Sequence, residues 1–126
     1  MTPNKKQIAN LRKLSAYLAA LPKDYEHFDI MSFYWVESEH GGLYPTEIKK
    51  VPLGQCGTSA CAVGHGPFAG IPVRGDVDWW DYCKRVFGIE GGTVDFRRLF
   101  GIGNPNCPHK AATRINKYLA SLDQPA

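Results

Sequence analysis

Apolar residues at steps of three and four mark the first element. Ile8, Leu11, Leu14, Leu18 and Leu21 fall on one helical face with Ser15, while Lys5, Lys6, Arg12 and Lys13 lie largely off it. The spacing predicts a helix over 5–21, with Asn4 as N-cap and Pro22 as the stop. A second helix is predicted over 77–87, capped by Asp76 or Asp78 and closed by Gly88. Trp80, Cys83, Val86 and Phe87 form its inner face, which leaves Trp79 turned outward. Thr93 caps a short helix over 94–100 that Gly101 stops. The last helix is predicted over 109–122, with Ile115, Tyr118, Leu119 and Leu122 as its apolar stripe and Lys110, Arg114 and Lys117 along another side.

The middle of the chain is less periodic. Residues 28–36 are densely apolar and suit either a short helix capped by Asp29 or Ser32, or a short strand. Residues 37–55 carry Gly41-Gly42, Pro45, Pro52 and Gly54, and predict a long loop across the core, with one small hairpin within 33–53. Thr58 then reads as the N-cap of a short helix near 58–65, closed at Gly66 and Pro67. Ala60, Ala62 and Gly64 would let neighbours approach it closely, which makes it the central helix. The expected fold is therefore all-α and irregular: five or six short helices around a Cys-Gly-Thr helix, in a single domain over 1–126.

Composition narrows the function classes. A chain of 126 residues suits one domain, and 44% hydrophobic with 21% charged residues excludes a disordered chain. Seven basic and six acidic side chains in 1–63, then eight and six in 64–126, leave no basic half. The pI of 8.7 lies below the range of dedicated nucleic-acid binders, so that partner is disfavoured. Such a function would need Lys84-Arg85, Arg97-Arg98 and Lys110, Arg114 and Lys117 on one surface, with Trp79 and Tyr82 as stacking platforms; Asp76, Asp78, Asp81 and Asp95 interrupt that field. The uncharged run over 51–73 holds glycines and prolines throughout and reads as a buried centre, not a membrane span, so no membrane partner is expected. The first six residues lack the apolar stretch of an export signal, so the expected location is cytoplasmic, with reduced thiols.

The candidate chemistry centres on Cys56-Gly-Thr-Ser-Ala-Cys-Ala-Val-Gly-His. Three readings compete. In the first, Cys56, Gly57, Thr58, Cys61 and Gly64 are a structural core motif of small residues and a cap, with no cofactor. In the second, Cys61 and His65 share a helix face and hold zinc with Cys56 and either Cys107 or His109, although the spacing is not that of a common zinc finger. In the third, Cys56 is a nucleophile at a helix start, with His109 or His40 as base, and the protein is a thiol hydrolase. Gln55-Cys56-Gly57 faintly resembles the helix start of papain-like peptidases, but the glutamine is adjacent instead of several residues upstream, and no strand-rich half carries the histidine.

Leu11-Arg-Lys-Leu, Leu21-Pro, Phe28-Asp-Ile-Met, the cysteine segment, Trp80-Asp-Tyr, residues 96–101 and Ala111-Ala-Thr-Arg-Ile together resemble a group of small proteins encoded by phages and prophages. These share a Cys-Gly-Thr-x-x-Cys-x-x-Gly core. The resemblance implies a mobile-element origin, an intracellular site of action and modulation of a host enzyme or defence system. It carries no catalytic or binding residue. The resulting expectation is a non-enzymatic accessory protein that binds a host protein. Its candidate surface is the loop residues Glu37, Glu39 and His40 together with Trp79, Arg97 and Arg98.

Overall fold

A computed structural model describes residues 3–36, 41–51, 53–54, 58–75, 78–101 and 103–122. Its described residues form four α-helices, two 3-10 helices and a small three-stranded sheet, so the fold is mostly α. Helix α1 (Lys5–Ala19) opens on a capping box: the Asn4 side chain accepts from the Gln7 N–H, and Gln7 Oε1 accepts from the Asn4 N–H, both at 2.9 Å. Leu11, Leu14 and Leu18 are fully buried, as their spacing requires. Each contributes on the order of 2 kcal/mol of burial.

Helices α2 (Trp79–Phe87) and α3 (Val94–Phe100) follow the same capping logic. Helix α2 is capped by Asp78 and ends at Gly88, whose φ of 70° lies in the left-handed region that favours glycine. Gln7 and Asn10 of α1 donate to the carbonyls of Lys84, Arg85 and Val86, so α1 satisfies the last turn of α2. Thr93 caps α3. Helix α4 (Pro108–Leu122) starts on a proline and lies against α1, where Ala111 and Ala112 are buried and keep the two backbones close. Ser15 Oγ of α1 bonds Asn116 Oδ1 at 2.6 Å and the Ala112 carbonyl at 3.3 Å, and His109 Nε2 of α4 donates at 2.6 Å to the carbonyl of Leu21, just past the end of α1.

The sheet has the order β2-β1-β3 and is antiparallel throughout. Strands β1 (Trp35–Val36) and β2 (Gly41–Gly42) form the hairpin expected within 33–53. Strand β3 (Thr58–Ser59) corrects the sequence reading, because Thr58 starts no helix. Trp35 pairs with Ser59 and Val36 with Thr58. Phe28 bridges Ala60, and the Cys61 N–H donates to the Ser32 carbonyl at 2.8 Å. These long-range bonds claim the backbone groups that a helix over 58–65 would use, and Gly64, Gly66 and Pro67 are weak α-formers. Helical structure begins only at the 3-10 helix Val63–Ala69, which runs through Gly66 and Pro67 and closes at Gly70, φ 89°. Residues 28–36 likewise contain no helix: Asp29 caps a local turn by accepting from the Met31 N–H.

Only part of the uncharged middle run is buried: Gly54, Gly70 and Pro72 are exposed. Thr58, Ala60, Cys61, Ala62, Val63 and His65 are all buried. Gly64 is where two segments meet: a Cβ there would sit 1.7 Å from the Phe33 carbonyl oxygen. No helix among the described residues is long and apolar enough to cross a membrane.

Candidate functional site

The described part of the cysteine segment, from Thr58 to His65, is largely buried. Cys61 is buried, and loss of hydration pushes its thiol up to about 11. Burial also raises the Cys83 thiol well above the usual range. Both stay protonated at neutral pH and are poor nucleophiles. Cys107 is half-buried at the start of α4. Cys56 and Gly57 lie outside the described residues, as do Glu37, Glu39 and His40. The proposed base His109 spends Nε2–H on the Leu21 carbonyl, where it ties α4 to the segment just after α1. Thr58 Oγ1 accepts from the Gly54 N–H at 3.1 Å, so it braces a turn and does not cap a helix.

His65 is a buried, neutral histidine. Its Nδ1 lies 2.8 Å from the Cys61 carbonyl, which only accepts, so the proton sits on Nδ1. Nε2 then accepts from the Tyr25 hydroxyl at 3.0 Å. The ring stacks on Phe28 at 5.6 Å and faces Tyr17 and Tyr25. Burial lowers its pKa to about 4 and outweighs the hydrogen bond to Cys61. Both ring nitrogens are thus engaged inside the protein. Sequence reasoning singled out His65 but missed Tyr25 and His27, which reach this region from a segment about 40 residues upstream.

Trp79 and Trp80 exchange the places predicted for them. Trp79 is 5% exposed and donates from Nε1 to the Leu43 carbonyl at 2.7 Å, with its ring stacked on Phe33 and Tyr34. Trp80 is the half-exposed one, at 48%, and rests against Phe33, Phe96 and Gly91. The two rings diverge by about 100° on a helix, and the Leu43 carbonyl decides which one turns inward. Trp79 therefore leaves the candidate binding surface. Tyr82 is fully buried too, so neither aromatic is a platform for nucleic-acid bases.

A different site emerges between α3 and α4. Asp95, Arg98 and Leu99 of α3 and Arg114, Lys117, Tyr118, Ser121 and Leu122 of α4 line a cleft of about 540 Å³. Arg98 and Lys117 are exposed, and Arg114 is half-buried. Arg114 Nε donates to the Leu99 carbonyl at 3.3 Å, while its Nη1 is shut from solvent with no hydrogen-bond partner among the described residues. Burial holds this guanidinium below its usual pKa, and burial followed by the Asp95 charge raises the Tyr118 hydroxyl. Among the described residues, no carboxylate lies within ion-pair distance of Arg98, Arg114 or Lys117. The cleft thus collects three cations without an ion-pair partner among the described residues, against an apolar wall of Leu99, Leu122 and the Tyr118 ring.

The sequence signal for this cleft was the row Lys110, Arg114 and Lys117 together with Arg98. Lys110 does not line the cleft, and Arg97 is exposed elsewhere on α3. Asp95 and Tyr118, read respectively as an interruption and as core, complete it. No family model matches this chain, and no curated protein or solved structure is found to be similar to it.

Proposed function

We propose that this chain is a non-enzymatic binding protein that grips an acidic segment of a protein partner in the cleft between α3 and α4. One observation carries the reading: Arg98, Arg114 and Lys117 share a cleft without an ion-pair partner among the described residues. Cations gathered in this way raise the local potential and favour an anionic group, and the rigid helices beneath them keep the arrangement in place. Leu99, Leu122 and Tyr118 supply the apolar contact that a side chain flanking the anion would bury. A mobile-element origin and a host protein as partner belong to the same reading and rest on the sequence resemblance alone.

The test is a titration of the ¹⁵N-labelled protein with a hexaglutamate peptide and, separately, with a hexalysine peptide. The acidic peptide shifts amides of α3 and α4 and the Arg114 Nε–H, and the shifts weaken as salt rises. Unmoved cleft resonances with the acidic peptide, or equal shifts with both peptides, overturn the reading.

A further inference from the structure

We infer that the group received by this cleft is a phosphate ester on the partner, so that the protein reads a phosphorylated segment. This rests on the reading just given and adds the chemistry of the ligand. The argument begins with charge. Three cations and one carboxylate, Asp95, line the cleft. Their formal sum is two positive charges, which matches a phosphomonoester of about −1.5 to −2 near neutral pH and exceeds what one carboxylate neutralises.

Donor inventory leads the same way. A guanidinium carries five N–H groups, of which Arg114 commits Nε to the Leu99 carbonyl. Arg98 and Lys117 bring further charged donors from the two walls, and the Tyr118 and Ser121 side chains add hydroxyls. Three phosphate oxygens can accept several such bonds at once, whereas a carboxylate has two. The Leu99 carbonyl bond also fixes the Arg114 side chain across the α3–α4 junction, so one donor is already oriented before a ligand arrives. Asp95 lines the same cleft and repels an anion that misses the cations.

The experiment compares four probes by chemical-shift titration of the intact protein: inorganic phosphate, and degenerate heptapeptides with phosphoserine, glutamate or serine at the centre. Phosphoserine peptides should bind at least about tenfold more tightly than glutamate peptides, with the Arg114 Nε–H shifting most. R98A and K117A are exposed substitutions that leave the melting temperature unchanged, and together they should abolish the phosphoserine preference. R114K keeps the charge but removes the oriented fork, and should lower the preference while glutamate peptides still bind. Equal binding of phosphoserine and glutamate peptides overturns this inference and leaves the acidic-segment reading standing. Inorganic phosphate binding as tightly as the phosphopeptides also overturns it, because the ligand would then be a free anion. Silence of all four probes overturns both.

Discussion

Lowering the pH from 7 to 5 should weaken this protein by about 2 kcal/mol through His65, before its carboxylates are largely protonated. The ring is buried, donates from Nδ1 to the Cys61 carbonyl and accepts at Nε2 from Tyr25, an arrangement that suits only the neutral form. Its pKa is about 4 in the folded chain, against 6.5 in an unfolded one. Above pH 6.5 neither state binds the proton and stability is full. As the pH falls below 6.5 the unfolded state takes the proton first, so stability drops, and the loss levels off below about pH 4. At about 1.4 kcal/mol per pKa unit the complete effect is about 3 kcal/mol, of which about 2 kcal/mol has been lost by pH 5. That is a large part of the stability of a small domain. The assay is urea unfolding of the wild type and H65Q at pH 7, 6 and 5. H65Q starts less stable, but the gap between the two proteins should close by about 2 kcal/mol at pH 5, because glutamine does not titrate. A gap that stays constant across this range refutes the reasoning. Should H65Q fail to fold, the histidine ring resonances of the wild type decide instead: a His65 that titrates near pH 6.5 in the folded protein contradicts a buried neutral ring.

Three further outcomes follow from the packing. G64A should cost about 3 kcal/mol or more in urea unfolding, since its Cβ would meet the Phe33 carbonyl at 1.7 Å and backbone would have to move; a cost below about 1 kcal/mol would contradict the close approach. W79A should cost about 3–5 kcal/mol and exceed W80A by at least about 1 kcal/mol, because only Trp79 is buried and bonded to Leu43; equal costs would contradict that assignment. Cys61 and Cys83 should resist iodoacetamide at pH 8 in the native protein and react after denaturation, as mass-mapped peptides would show; native labelling of Cys61 would contradict its burial.

The helices were legible because their signals are local. Asn4, Asp78 and Thr93 cap helices within three residues of themselves, and Leu11, Leu14 and Leu18 need only their own spacing to face inward. The hairpin was legible from Gly41-Gly42. What the sequence hid depends on partners far along the chain. Thr58 has every local feature of a helix cap, yet its backbone pairs with Val36 and its hydroxyl with Gly54. Trp79 and Trp80 are neighbours of equal hydrophobicity, and the Leu43 carbonyl separates them. The cationic row of α4 was visible as a row, but the cleft needed the packing of α3 beside α4, which brings Arg98 and Asp95 to Arg114 and Tyr118. Periodicity marks which face of a helix turns inward and does not say which other helix it meets.

The most direct test of the central claim is site-specific photo-crosslinking in the native cell. A photo-reactive benzophenone amino acid replaces Ser121 at the cleft or, as a control, exposed Tyr44 away from it. The account predicts a discrete protein adduct from position 121 that position 44 does not form and that disappears when R98E and K117E are introduced. An adduct from position 121 that survives the charge reversal, or none from that position, would contradict it.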